Sequence, residues 1–227
     1  MPRNDPNLPL LRAVAEALGE LRERVVFVGG AMTGVLMTDP LAEGVRATRD
    51  VDAIADAGRV AFRAIEALLM KKGFKRDMES AVVCRWLHPA SGTLFDLMPV
   101  APDVLGFSNR WYPYAVESAR RLDLGDGVVI QVASAVAFVA TKLEAFGGRG
   151  GGDVLGSHDL EDILAIVDGR ETLAEELSSA PKEVREAIAA EIGALLRHPD
   201  FLNALPGLIS EPERATIVTS RLRDLTQ

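Results

Sequence analysis

The sequence has 227 residues, of which 48% are hydrophobic and 26% charged, a mixture typical of a globular chain. Its net charge of −8 argues against broad non-specific nucleic-acid binding, which depends on clustered Lys and Arg, but does not exclude a local basic patch. The single cysteine, Cys84, excludes an intramolecular disulfide. We see no secretory leader and no apolar run of the ~18 residues that a membrane helix needs, so we expect a cytoplasmic protein without membrane contact.

The first part of the chain mixes helix and strand patterns. Leucines at helical spacing predict a helix over residues 9–23, and VVFVGG then predicts a short buried strand that ends in a double glycine. AMTGVLM has the pattern of a helix start, DVDAIA that of a second strand, and RVAFRAIEALLMKKGF that of an amphipathic helix. SAVVCRWLH and TLFDLMPV predict two strands joined by PASG as a hairpin, and GVVIQVA predicts another strand.

The pattern from Ser134 onward is helical, in SAVAFVATKLEAF, DLEDILAIVDG, PKEVREAIAAEIGALLR and EPERATIVTSRLRDL. A glycine-rich break, GGRGGGD, separates the first two of these segments. We therefore predict an α+β fold with two domains. Residues 1–132 would form a small mixed sheet with flanking helices, and residues 133–227 would form a helical C-terminal domain.

Three aspartates interrupt strands that are otherwise apolar. Asp50 and Asp52 lie two residues apart in a strand, so their side chains share one face. Two carboxylates about 4 Å apart repel each other by roughly 4 kcal/mol at an effective dielectric constant near 20, so the pair needs a cationic partner. Asp96 interrupts TLFDLMP in the same way.

Three aspartates on adjacent strands could hold two Mg²⁺ ions that orient a triphosphate and activate an attacking hydroxyl. Asp96 would then assist deprotonation of the nucleophile. The alternative is a structural role, in which the acids cap turns or pair with Arg46, Arg49 or Arg85. Nearby, Gly29 and Gly30 follow a strand and open a helix, where backbone N–H groups can approach a phosphate.

The helix that contains Lys142 is apolar nearly all round, which is typical of a buried helix. Phe138 lies four residues before Lys142 and Phe146 lies four residues after it, so the three side chains share one face of the helix. A buried lysine needs an anion, and a triphosphate would serve. The alternatives are a lysine that reaches the surface or pairs with a structural acid. For Asp159 the alternative to a catalytic role is capping of the LEDILAIV helix.

These residues resemble a known family. VGGAM and RATRDVD resemble the GG…RxTxDxD signature of nucleotidyltransferases in the DNA polymerase beta superfamily, and the long interval resembles the AbiEii/MenT branch, the toxins of type IV toxin–antitoxin systems. TKLEAFGGRGGGDVLGSHDLEDI resembles the later motifs of that branch, so the resemblance covers residues 25–170. It implies that nucleotide is bound by Gly29, Gly30, Arg46, Thr48, Lys142 and Arg149. It implies that catalysis depends on Asp50, Asp52, Asp96, Lys142 and Asp159, with Asp162 as the second acid of the last motif.

The resemblance implies a Mg²⁺-dependent enzyme that moves NMP from an NTP to a hydroxyl, here the 3′ end of tRNA, and that a cognate antitoxin silences. Two features depart from the family pattern: Ala31 follows the double glycine in place of Ser or Thr, and His158 precedes Asp159 in place of Lys. Two alternatives stay open. One is transfer to a small molecule such as an aminoglycoside, or to a protein side chain, and the other is a nucleotide-binding module without catalysis.

Overall fold

The computed structural model describes residues 5–39, 45–148, 153–209 and 211–227. In these residues seven strands form one mixed sheet: β1 Val26–Val28, β2 Asp50–Ala55, β3 Lys75–Arg76, β4 Arg85–His88, β5 Thr93–Pro99, β6 Arg120–Asp123 and β7 Val129–Val132. The α-helices of the same residues are α1 Leu8–Leu18, α2 Thr33–Leu36, α3 Arg59–Lys71, α4 Tyr112–Glu117, α5 Ala135–Gly147, α6 His158–Gly169, α7 Leu173–Ser178, α8 Lys182–Arg197, α9 Pro199–Leu208 and α10 Ala215–Asp224.

The predicted fold class, a mixed sheet with flanking helices followed by a helical region, is confirmed. The chain forms two compact units. The sheet unit contains residues 6–32 and 47–134, and the helical unit contains Met1–Asp5, Thr33–Arg46 and Ala135–Gln227. A division into independent domains at residue 132 stays a prediction.

The strands of the sheet unit follow the order β3-β4-β5-β2-β1-β7-β6. The central strand β2 pairs parallel with β5 and antiparallel with β1, while β1 pairs parallel with β7. Val51, Ala53, Phe95 and Leu97 on these strands are almost completely buried, because they form one face of β2 and β5 in the core. The opposite face of the same two strands carries the three aspartates.

Several short elements differ from the prediction. Strand β3 has two charged residues and β6 reads RRLD, so neither shows the apolar or alternating pattern that predicts a strand. Helices α4, α7 and α9 also lie outside the predicted helical stretches. After the double glycine, the expected helix opens as a 3-10 helix, Gly30–Met32, and continues as the four-residue α2.

The helical unit holds an early segment of the chain against the end of α6. The backbone N–H groups of Thr38 and Asp39 both donate to the carbonyl oxygen of Gly169, at 2.9 and 3.0 Å. A side chain at Gly169 would overlap Met37, so glycine permits this close approach. Arg170 donates to the carbonyl oxygen of Leu36 from a buried position. Within the described ranges, no helix combines the length and apolar character needed to cross a membrane.

Candidate active site

The three predicted acids lie on one face of the paired strands β2 and β5. Asp52 stands directly opposite Asp96 in the parallel register. Asp50 stands opposite Leu94, two residues earlier on the same face of the sheet. The prediction that the acids occupy adjacent strands is therefore confirmed. Asp96 is 5% exposed, whereas Asp50 and Asp52 are half-buried.

Arg85 lies among these acids, and the four side chains together are named the sheet cluster. Arg85 begins β4 and stands opposite Asp96 in the antiparallel register. Its Nε donates to Asp96 Oδ1 at 2.9 Å and its Nη2 donates to Asp96 Oδ2 at 2.8 Å. The same Nη2 also donates to Asp50 Oδ2. Of the three arginines named as alternative partners of the acids, Arg85 is thus the one that pairs with Asp50 and Asp96.

Burial is the main influence on the acid groups of the sheet cluster and its surroundings. Burial raises the pKa of Asp96, and the hydrogen bonds from Arg85 offset that rise only in part. Hydrogen bonds with Asp96 raise the pKa of Arg85, so its guanidinium stays charged. Burial, reinforced by the charges of Asp96 and Asp52, raises the pKa of the neighbouring Cys84 thiol to about 12.

Gly29 can lie directly against the sheet cluster because it has no side chain. It has a φ of +75°, in the left-handed region that favours glycine. A Cβ atom built on Gly29 would overlap the carboxylate of Asp52. The backbone of the double-glycine turn therefore passes directly against an acid of the cluster, and both the conformation and the space at this position require glycine.

Thr48 supports the start of β2. Its backbone N–H donates to Asn7 Oδ1 at 2.8 Å, and its hydroxyl donates to the carbonyl oxygen of Asp50 at 3.0 Å. Asn7 is 1% exposed. The sequence did not single out Asn7, because an isolated asparagine at the start of a helix reads as an ordinary capping residue. The observed role of Thr48 is to fix the backbone that carries Asp50, and its predicted contact with nucleotide stays a prediction.

Lys142 lies in a second cluster of charges, named the helix cluster, which contains Lys142, Asp159, Asp162 and Arg46. Lys142 Nζ donates to Asp159 Oδ1 at 2.8 Å and to Asp162 Oδ2 at 2.7 Å. It lies 5.8 Å from the ring centroid of Phe138, on the helix face predicted for it. Lys142 and Asp162 are 8% and 1% exposed. The anion that a buried lysine needs is thus supplied by the chain itself.

Burial lowers the pKa of Lys142, but Asp162 and Asp159 outweigh that effect, so the pKa is raised above its ordinary value. Arg46 lies 3.6 Å from Asp162 and 3.7 Å from Glu161 at the edge of the helix cluster. Its predicted role in nucleotide binding stays untested, as does that of Lys142. Arg149 lies outside the described residues.

The alternative role for Asp159 as a helix cap is wrong. The residue that caps α6 is Ser157, whose Oγ accepts a hydrogen bond from the Leu160 N–H at 3.3 Å. Asp159 instead lies in the first turn of the helix, where a carboxylate is favourable, and pairs with Lys142. Asp162 lies one turn further along α6 and is its most buried acid.

The predicted magnesium site can be compared with the donor atoms present. Carboxylate oxygens are the ligands that Mg²⁺ prefers, and Asp52 opposite Asp96 brings two carboxylates to one register of the sheet. Arg85 nevertheless engages both oxygens of Asp96 and one of Asp50. In the part of the chain that the structure describes, no group of three His, Cys, Asp or Glu side chains is arranged to hold a metal ion. The three carboxylates are suitable ligands for Mg²⁺, but in this structure Asp50 and Asp96 bind Arg85.

Neither a family model nor a curated protein matches the sequence. Among solved structures, the chain is similar to an antigenic nucleotidyltransferase-like protein from Paracoccidioides brasiliensis. The two sequences are 18% identical, and the superposition covers 88% of this chain and 92% of that chain with a TM-score of 0.48.

Proposed function

We propose that the protein is a Mg²⁺-dependent nucleotidyltransferase that transfers NMP from an NTP to a hydroxyl and releases pyrophosphate. The observation that carries the proposal is the sheet cluster. Three aspartates share one face of two paired strands, and a double-glycine turn passes against Asp52. An acid cluster beside a double-glycine turn supports the binding of a metal-bound polyphosphate.

The proposal assigns separate tasks to the residues of the sheet cluster. Asp50, Asp52 and Asp96 would hold the metal, which when bound would neutralise phosphate charge and lower the pKa of the attacking hydroxyl. Gly29 and Gly30 would let the triphosphate approach the backbone closely. Asp96 has a raised pKa because of its burial, a property that suits a carboxylate receiving a proton.

In the helix cluster, Lys142 would contact the triphosphate only by exchanging one of its two carboxylates for a phosphate oxygen. Asp159 is the more exposed of these two carboxylates, with 13% of its side chain accessible against 2% for Asp162. We therefore assign the exchange to Asp159, which would leave Lys142 neutralised by Asp162 and a phosphate. The role of Asp159 in catalysis follows from the family resemblance alone.

For the acceptor we propose the 3′ end of tRNA, with the protein acting as the toxin of a toxin–antitoxin pair of the AbiEii/MenT kind. The distribution of charge is compatible with an RNA substrate. The sheet unit has 14 Lys and Arg against 14 Asp and Glu, whereas the helical unit has 11 against 19 and so holds the whole net charge of −8. The acidic character of the chain therefore does not apply to the unit that contains the three aspartates. Transfer to a small molecule or a protein side chain is the alternative.

A second candidate function is nucleotide binding without catalysis. It is favoured by the ion pairs of both clusters, because Asp50 and Asp96 share Arg85 and Lys142 lies between two carboxylates. Acids that are already paired can persist for structural reasons. This candidate predicts that nucleotide binds and that no label is transferred to any acceptor.

The test is incubation of the purified protein with Mg²⁺, each α-³²P-labelled NTP and total tRNA, beside the variants Asp52→Ala and Asp56→Ala. Asp56 follows β2 and is exposed, so its replacement removes the same charge outside the sheet cluster. We expect label on tRNA with the wild type and Asp56→Ala, and none with Asp52→Ala. Label on a small molecule or a protein would change the acceptor, while bound nucleotide without any transfer would favour the second candidate.

A further inference from the structure

Arg85 contacts two of the predicted metal ligands, Asp96 and Asp50, through three hydrogen bonds. Its planar guanidinium engages Asp96 through two parallel hydrogen bonds, of 2.9 and 2.8 Å, and reaches Asp50 on the next strand with the same Nη2. Such a two-point contact fixes the orientation of the Asp96 carboxylate. Arg85 thus links the acids of β5 and β2 from a third strand, β4.

The position is largely shielded from water. The side chains of Arg85, Asp96 and Asp50 are 18%, 7% and 31% exposed. A cation in this place is weakly screened, and its removal would leave carboxylates of like charge facing each other. Both oxygens of Asp96 accept hydrogen bonds from Arg85, so a divalent ion at these oxygens would meet the repulsion of a positive charge close by.

We propose that Arg85 is the resident cation of the sheet cluster and competes with a divalent metal ion for Asp50 and Asp96. The described arrangement is then a resting one, in which Arg85 pairs with Asp50 and Asp96 in the place of a metal ion. Entry of the ion displaces the guanidinium from Asp50, whose oxygen carries a single bond to it. This inference rests on the proposed function, since it concerns the same acids and the same ion.

The competition can be measured through metal binding alone, without any assay of transfer. Mn²⁺ serves as the probe, because its free form gives an electron paramagnetic resonance signal that falls as the ion binds. The nucleotide-free variants to compare are Arg85→Gln, Arg85→Lys, Arg85→Gln with Asp50→Asn, and Arg24→Gln. Arg24 is exposed and outside the sheet cluster, so its variant controls for the loss of one positive charge.

We expect Arg85→Gln to bind Mn²⁺ about tenfold more tightly than the wild type or better, because a competing charge is lost close to the ion. Arg85→Lys should gain less, since it keeps the charge and loses the two-point contact. The double variant should lose the gain, and Arg24→Gln should match the wild type. Unchanged or weaker Mn²⁺ binding by Arg85→Gln would overturn the proposal. Circular dichroism checks folding, and if Arg85→Gln does not fold, an affinity of Arg85→Lys no higher than that of the wild type overturns the proposal instead.

The two proposals fail in different ways. A wild-type protein that transfers no nucleotide, together with an Arg85→Gln variant that gains Mn²⁺ affinity, would refute the proposed function and support the competition. A wild-type protein that labels an acceptor, together with an Arg85→Gln variant without any gain, would refute the competition alone.

Discussion

In the helix cluster the partners of the buried charge outweigh the cost of its burial, whereas in the sheet cluster they do not. In the helix cluster two carboxylates face Lys142 and Arg46, and the pKa of the buried lysine is raised. In the sheet cluster Asp50 and Asp96 share the guanidinium of Arg85, and the pKa of the buried Asp96 is raised in spite of that partner. The charged form of the buried lysine is therefore favoured in the helix cluster, whereas the charged form of the buried Asp96 is disfavoured in the sheet cluster.

This difference distinguishes a cluster with a structural role from a cluster that could take part in a reaction. Where the partners of a buried charge outweigh the cost of its burial, the ion pairs hold the helices together. Where burial prevails, as at Asp96, a ligand of the opposite sign that binds the folded protein stabilises it. On this comparison, the sheet cluster is the better candidate for chemistry and the helix cluster the better candidate for architecture.

The largest effect on stability is expected from Lys142→Met. The change removes the cation that binds the half-buried Asp159 and the buried Asp162 most closely, which should cost about 3–5 kcal/mol in the free energy of unfolding. Urea denaturation measures this loss. The combined variant Lys142→Met, Asp159→Asn, Asp162→Asn should recover most of it, because no buried charge is then unpaired. A single variant as stable as the wild type would mean that the helix cluster is not a structural network.

A smaller effect is expected from Gly29→Ala, and Gly127→Ala is its matched control. The two glycines have nearly the same φ, +75° and +76°, so each alanine costs about 1–2 kcal/mol for the left-handed backbone. A Cβ at Gly127 meets nothing within 4 Å, while one at Gly29 overlaps Asp52. We expect Gly29→Ala to be less stable than the control by roughly 1 kcal/mol or more. Equal losses in urea denaturation would show that Asp52 moves aside freely.

Ser157→Ala should cost about 1 kcal/mol in the free energy of unfolding, since it removes the side-chain cap of α6. Glycine at the same position should cost only a few tenths of a kcal/mol, because glycine is itself tolerated at this position. Thermal unfolding of both variants measures the difference. If Ser157→Ala is as stable as the wild type, the hydroxyl does not stabilise the helix that carries Asp159 and Asp162.

The smallest effect concerns pH. Because the pKa of Lys142 is raised in the folded protein, its contribution to stability is complete below its ordinary value of 10.5 and is lost as the pH rises through the raised value. The wild type should therefore lose more stability between pH values below and above 10.5 than the combined variant of Lys142, Asp159 and Asp162. Parallel slopes for the two proteins in urea denaturation would contradict the assignment.

The sequence predicted the acids of the sheet cluster because an aspartate in an apolar strand stands out from its neighbours. Asp50 and Asp52 share a face by strand geometry alone, so their proximity needed no tertiary information. The partner of Asp50 and Asp96 could not be selected in the same way. Arg85 reaches them through the register of β4 on β5, which depends on the hairpin and on the pairing of β5 with β2.

For the helix cluster, the sequence likewise predicted the buried lysine but not its pairing with Asp159 and Asp162. The apolar pattern around Lys142 predicted a buried lysine, and the family resemblance pointed to Asp159 and Asp162. That these two acids bind the lysine depends on the packing of α5 against α6, which brings together residues 17 and 20 positions apart. Strand β6 was missed because RRLD has the composition of a solvated segment, yet its backbone pairs with β7.

The attachment of Thr38 and Asp39 to Gly169 has a consequence for synthesis of the chain. These residues emerge from the ribosome well before α6 exists, since more than a hundred residues separate them from their acceptor. At about 5–20 residues per second, the segment waits for several seconds with its apolar neighbours Leu36 and Met37 uncovered. A chain cut after the sheet unit would keep that exposure permanently, so we expect such a fragment to depend on chaperones or to aggregate.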